Sequence, residues 1–243
     1  MKFIPIKTKL FTPPKDDIYQ AFDGKFPELK NWDILFITSK VISIHQWRCI
    51  SKKNILKQNL IIQEASYFLH NPDIWPNGID LTITQNTLIP NAGIDESNAN
   101  NYYILLPNNL PKEIKKLYRF LTKKYKLTKL GIVVTDSTSK PLRYWSIGVA
   151  IYSYGFYPLL DKRWNKDLFG RKLEVTKVNI VDSISAIAVY LMGESTEQTP
   201  MLIWRNIKNI TYTTKDCFKD NVVGLKNDIY SPILKNMLKK NRL

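Results

Sequence analysis

The sequence predicts an α+β fold, or an irregular α/β one, and three observations carry that reading. Apolar runs of strand length alternate with segments of helical three-to-four spacing, but without the regular βαβ order of a Rossmann sheet. No internal repeat or low-complexity linker interrupts the chain before about residue 206. Hydrophobic residues make up 44% of the 243 and charged residues 23%, close to the globular average, so a sizeable core can form and no large part reads as disordered.

The elements follow in order. After the N-terminal PIKTKLFTPPKDD, DIYQAFDGKF (17–26) is expected as a short helix, and DILFITSKVISI (33–44) as a buried strand that meets a polar break at TSK. Residues 54–70 place apolar side chains at three-to-four spacing and predict a helix with a core-facing stripe. IDLTITQNTLIP (79–90) alternates with period two, as a half-buried strand does, and delivers the chain to NAGIDESN (91–98). YYILLP (102–107) is a strand, PKEIKKLYRFLTKKY (111–125) a helix with Pro111 near its start, and LGIVVTDS (130–137) a strand ending in acid and hydroxyl groups. WSIGVAIYSYGFYPL (145–159) offers small and aromatic residues that pair or pack. DLFGRKL (167–173) is a turn, VTKVNIVDSISAIAVYLMG (175–193) a strand running into a helix, and TPMLIWRNI (199–207) a closing strand. Beyond Asn206 the chain holds a possible strand and a basic helix.

Several function classes fall away on composition. The N-terminus lacks a signal-like apolar stretch and no run approaches the length of a spanning helix, so a cytoplasmic chain with no membrane partner is expected. Cys49 and Cys217 stand far apart, without a CxxC or Cys/His cluster, which argues against a disulfide framework and structural zinc. His45 and His70 lack partners at metal-ligand spacing. The net charge of +15 comes from lysines spread along the chain, densest at 112–129 and 234–243. They read as solvated faces rather than a phosphate-tracking stripe, and no nucleic acid is expected as a partner; a field that attracts small anions is the other possibility. No GxxxxGK[ST], GxGxxG, HExxH or GxSxG is present.

Three polar segments come directly after apolar runs: TSK (38–40), NAGIDESN (91–98) and TDS (135–137). Strand ends present side chains to a cleft, and carboxylates with hydroxyl or amide neighbours are hard oxygen ligands suited to magnesium or manganese. Each segment also has a plainer reading. Asp95 can serve its own turn, TDS can cap a helix, and Lys40 can be a surface lysine.

The ordered set ITSKVIS, NAGIDESN, GIVVTDS, PLR, PLLD, DLFGRKLEVT and MGESTEQTP, spread over residues 3 to 205, resembles the coenzyme F-420-0:L-glutamate ligase family, the gamma-glutamyl ligases. The resemblance implies an unusual α/β fold with mixed or antiparallel sheets, an intertwined homodimer, and a ligase domain over 1–205 with a basic extension, 206–243, packed on it. It implies GTP as co-substrate, two Mg2+ or Mn2+ ions per site, and transfer of L-glutamate to an acceptor carboxylate through an acyl phosphate. By motif position, Asp95 and Asp136 would hold one cation, Ser137 and Glu194 the second. Lys9, Leu10, Phe11, Thr12, Ser39, Lys40, Asn98, Gly193 and Glu194 would meet the nucleotide. Asp95, Asp136 and Arg143 would carry the chemistry.

Arg143 and Arg171 have forked guanidinium groups suited to a substrate carboxylate or phosphate, or to a structural ion pair. Tyr144, Trp145, Tyr152, Tyr154, Phe156 and Tyr157 can stack on a pterin or deazaflavin ring or pack in a core. Two departures stand out. Ile44 occupies the place of a second lysine, and Ser139 and Lys140 replace a Gly-Arg pair, leaving TDSTSKPLR. That form looks like a divergent bacterial branch and turns the expectation towards a folate acceptor, with the deazaflavin precursor as the alternative. The same changes motivate a second alternative, a catalytically silent basic relative that binds nucleotide, nucleic acid or another anion.

Overall fold

The computed structural model describes residues 1–53, 55–70, 78–237 and 239–240. Strand β1 (Lys2–Ile6) leads through one 3-10 turn at Ile18–Phe22 to β2 (Asp33–Thr38), and helix α1 (Ser39–His45) follows without a gap. Next come β3 (Cys49–Ser51), α2 (Lys57–Glu64), β4 (Tyr67–Leu69), β5 (Leu81–Thr84), β6 (Thr87–Pro90) and β7 (Tyr102–Ile104). Helix α3 (Leu110–Lys124) precedes β8 (Leu130–Ser139), β9 (Ser146–Tyr154), β10 (Leu159–Asp161) and β11 (Lys177–Asn179). Helix α4 (Ile180–Met192), strand β12 (Met201–Arg205) and helix α5 (Ser231–Met237) follow.

The fold is α+β with several sheets, as the sequence predicts. The main sheet has the order β1-β12-β2-β8-β9, and within it only β2 and β8 run parallel. Residues 34–37 of β2 are fully buried because both faces are covered. Leu35 and Ile37 join α1 and α3 in one core, while Ile34 and Phe36 join α4 in another. Helix α3 offers Leu110, Ile114, Leu117 and Leu121 to that first core at helical spacing, and its last turn carries Lys123 and Lys124, where cations suit the helix dipole. Asn179 caps α4 by accepting the Asp182 N–H at 3.1 Å.

Some elements depart from the expected ones. The run 33–44 is not one strand, since the chain turns into α1 at Ser39 and buries Val41, Ile42 and Ile44 from a helix; short apolar runs do not reveal their period. The helix expected at 17–26 is the five-residue 3-10 turn. Within 54–70, of which Asn54 lies outside the described residues, the helix stops at Glu64. Tyr67–Leu69 instead pairs with β5, so sheet pairing overrides the helical pattern. The strand expected at 79–90 is a hairpin, closed by Gln85 and Asn86 in left-handed conformation.

Residues 211–216 lie against the end of β9. Tyr154 Oη donates to the Thr214 carbonyl at 2.7 Å, and Tyr152 Oη to Asp216, which also pairs with Lys115 at 2.8 Å. At this edge Gly155 has φ +98°, and a Cβ there would run into the Leu130 carbonyl oxygen. Gly155→Ala is expected to destabilise the protein by at least about 2 kcal/mol, read as a lowered urea midpoint at unchanged slope.

Candidate active site

Parallel pairing of β2 with β8 ends with Thr38 opposite Thr135, so Ser39, just past β2, and Asp136, where β8 runs on beyond the pairing, lie at the same end of the two strands. Ser39 begins α1 there, and its Oγ donates to Asp136 Oδ2 at 2.7 Å. The Ser137 N–H donates to the other oxygen at 2.7 Å. A register shift between Val134 and Thr135 breaks the ladder just before Asp136, a device that re-aims side chains.

NAGIDESN approaches from the neighbouring layer. Asp95 exchanges two backbone hydrogen bonds of 2.9 Å with Ile104, which fixes its main chain. Its Oδ1 accepts the N–H and hydroxyl of Ser97 at 2.7 and 2.9 Å, so the residue does serve its own turn. Its Oδ2 pairs with Lys40 Nζ at 2.7 Å. Lys40 also donates to the Ser97 carbonyl at 2.9 Å; it is therefore not a solvated surface lysine.

These groups line one cleft of about 650 Å³. Of the residues singled out in the sequence, Lys9, Leu10, Phe11, Ser39, Lys40, Asp95, Asn98, Asp136, Ser137, Gly193 and Glu194 border it. Thr12, Arg143 and Arg171 do not border it; all three are exposed. Arg143 Nη1 donates to the neighbouring Leu142 carbonyl, and the Arg171 N–H to Asp167. Lys9 is bound to Asp16 at 2.6 Å, Asn98 Nδ2 donates to the Ser195 carbonyl at 2.9 Å, and Glu194 accepts from Ser146 Oγ at 3.0 Å. Sequence reasoning missed Ser97 and Ser146. Ser97 stood inside a recognised motif, whereas nothing local marks Ser146, which reaches Glu194 only through the fold. The aromatic stretch divides: Tyr152, Tyr154 and Phe156 are core, while Tyr144 and Trp145 are exposed.

The two aspartates are driven apart in acidity. Burial pushes the Asp136 carboxyl up to about 6, against the hydrogen bonds from Ser39 and Ser137. Burial also acts on Asp95, but the charge of Lys40 and the hydrogen bonds from Lys40 and Ser97 outweigh it and hold Asp95 below the ordinary carboxylate range. Two hard carboxylates beside a roomy cleft fit one small divalent cation, because magnesium binds through one or two carboxylates and completes its shell with waters and phosphates. A second cation is less provided for. Glu194 is engaged by Ser146, and among the described residues no group of three or more His, Cys, Asp or Glu gathers to hold a metal.

Residues 6–206 match the family model described as F420-0:Gamma-glutamyl ligase. A relative from Methanococcus maripaludis strain C7, named coenzyme F420:L-glutamate ligase, is 32% identical over 85% of this chain and 88% of its own. Relatives of the same name from Methanopyrus kandleri (29% identical, over 84% and 86%) and Methanothermobacter thermautotrophicus (34% identical, over 77% and 80%) match likewise. The protein is thus a ligase of the acid–amino-acid class. It belongs to the F420-0:gamma-glutamyl ligase family.

The raised Asp136 carboxyl gives a pH test. A group that binds its proton more tightly folded than unfolded loses stability as pH rises from the ordinary carboxyl value, about 4, to the folded one, here about 6. In metal-free protein Asp136→Asn removes that loss. The stability difference, variant minus parent, should therefore grow between these two pH values and then level off in urea titrations; a pH-independent difference would count against a proton-holding Asp136.

Proposed function

We propose that this protein joins the amine of L-glutamate to a carboxylate of an F420-type deazaflavin acceptor, at the expense of a nucleoside triphosphate. The carrying observation is the Asp95–Lys40 ion pair set beside the half-buried Asp136, in a chain whose relatives bear that ligase's name over most of their length. Amide formation needs an activated carboxylate. The acceptor carboxylate attacks the nucleotide's gamma-phosphorus, forming the acyl phosphate as the nucleoside diphosphate leaves. The glutamate amine then attacks the acyl phosphate, releasing phosphate and a proton.

Asp95 and Asp136 are the groups that would hold Mg2+ or Mn2+, and a cation bound there supplies charge neutralisation to the transferring phosphoryl group. Ser137 and Glu194 are the proposed ligands of a second cation. Lys40, with Ser39, Lys9, Leu10, Phe11, Asn98 and Gly193 along the same cleft, would bind GTP, and Thr12 would complete the N-terminal contact from outside it.

Arg143 and Arg171 are proposed to meet substrate across a homodimer interface, since neither reaches the cleft of its own chain. The segments that carry them are rich in exposed apolar side chains: Leu142 is 95% exposed, Tyr144 93%, Leu168 99% and Phe169 96%. Surfaces of that kind mark protein contacts. A second reading, a folate acceptor, is favoured by Ser139 and Lys140 where the family pattern has Gly-Arg; Ser139 lines the cleft.

Purified protein with Mg2+ or Mn2+, GTP and L-glutamate is expected to add one glutamyl residue to the deazaflavin precursor and release GDP, read by mass spectrometry. Tetrahydrofolate in parallel tests the second reading. Asp95→Asn and Asp136→Asn should each lower kcat/KM by on the order of 100-fold or more. Should neither acceptor lengthen with GTP or ATP, the ligase assignment for this chain fails. Leu168→Asp with Phe169→Asp should yield monomers in sedimentation velocity; an unchanged dimer, or a monomeric parent, would reject this interface.

A further inference from the structure

Asn91, Ala92 and Gly93 take φ values of +52°, +56° and +70°, three consecutive residues in left-handed conformation. For L residues that conformation costs about 1–2 kcal/mol each, and Ala92, almost fully buried, has no polar side chain to compensate. Such a turn persists only where its surroundings over-determine it.

Its surroundings converge on Asp80. The Asp80 N–H donates to Asn91 Oδ1 at 2.8 Å, and the Asp80 carbonyl accepts the Asn91 N–H at 2.9 Å. Thr82, two residues on, accepts the Ala92 N–H at 2.8 Å and donates to the Ile89 carbonyl. The Asp80 carboxylate is itself 1% exposed. It is held by Gln58 Nε2 at 2.7 Å and His70 Nδ1 at 2.6 Å, one from α2 and the other just past β4. A buried carboxylate with two side-chain partners is costly to shift. On the far side, Gly93 fits because a Cβ there would come within 2.7 Å of Leu106 Cγ. The chain then passes straight into Asp95 and its bonds to Ile104.

We propose that Asp80 is a positioning residue of the ligase reaction: through the left-handed turn it sets where Asp95 stands against Asp136. The two aspartates come from different layers, Asp136 from within β8 of the main sheet, just past its pairing with β2, and Asp95 from the turn beyond the β5–β6 hairpin. The Asp80 side chain touches neither aspartate. It anchors the backbone groups that grip Asn91, and the turn transmits that anchor to the cleft. This inference rests on the ligase assignment above.

The test compares Asp80→Ala, Asp80→Asn and Gln58→Leu in the full chain. Asp80→Ala is expected to lower kcat by 10- to 100-fold, of the order that a 1 Å misplacement in a site brings, with KM for glutamate changed less than threefold. Asp80→Asn, which keeps an acceptor oxygen, should recover part of the loss, and Gln58→Leu should fall between it and the parent. Amide exchange at Ala92 and Asp95 should accelerate in the same order while β8 stays protected. If Asp80→Ala does not fold, Gln58→Leu decides. A folded variant with parental kcat and parental exchange at Ala92 overturns the role, because a merely structural carboxylate would lower stability and leave kcat per folded molecule intact. An inert parent chain refutes the ligase assignment and this role with it; an active parent with unaffected variants refutes this role alone.

Discussion

The parallel contact of β2 with β8 is the constraint on which the site depends. It is the single parallel pairing in the main sheet, and it brings Thr38–Ser39, at the end of β2, beside Thr135–Asp136, where β8 runs on past its neighbour. An antiparallel pairing would have sent them to opposite ends of the sheet. Because both strands are covered on both faces, neither can slip without exposing Ile34–Ile37 or Ile132–Val134, all fully buried. The rigidity of the core is thereby transferred to Ser39 and Asp136, which hydrogen-bond across the strand gap.

A second layer completes the cleft. The smaller sheet around the β5–β6 hairpin ends in the left-handed turn that carries Asp95 to Lys40, so the ion pair bridges α1 of the main layer to the neighbouring one. Local environment then separates two chemically identical side chains. Asp136, half-buried in the cleft wall, holds its proton more tightly, while Asp95, beside a lysine, is held in its charged form. Segment 193–199 spans the same opening, bonded to Asn98 through Ser195 and to Thr8 through Gln198. The cleft walls thus come from the N-terminus, the middle and the last third of the chain.

Much of the fold was legible from residue order. The amphipathic spacing of α3, the strand-to-helix run into α4, and the apolar β8 and β12 each carry a long, unambiguous pattern. What misled were short apolar stretches, where seven residues such as Ser39–His45 fit either period, and 54–70, where pairing with β5 converts a helical pattern into strand. Within the cleft, the polar groups Ser39, Lys40, Asp95, Asn98, Asp136 and Ser137 could be named in advance because each follows an apolar run. Ser146, Asp80 and the grip on Asn91 could not, since they matter only through partners 10 to 48 positions away.

The sequence by itself determined the class of fold, the family and the chemistry available: carboxylates, hydroxyls and one lysine at the ends of buried strands. Periodicity, composition and ordered motifs are properties of the chain and survive without coordinates. Only the tertiary structure decided that Asp95 pairs with Lys40, that Asp136 stands half-buried in the cleft wall, and that Arg143 and Arg171 stand outside the cleft of their own chain. Those facts depend on which strands lie side by side and on how much water each carboxylate keeps, and both are set by contacts between residues far apart in sequence.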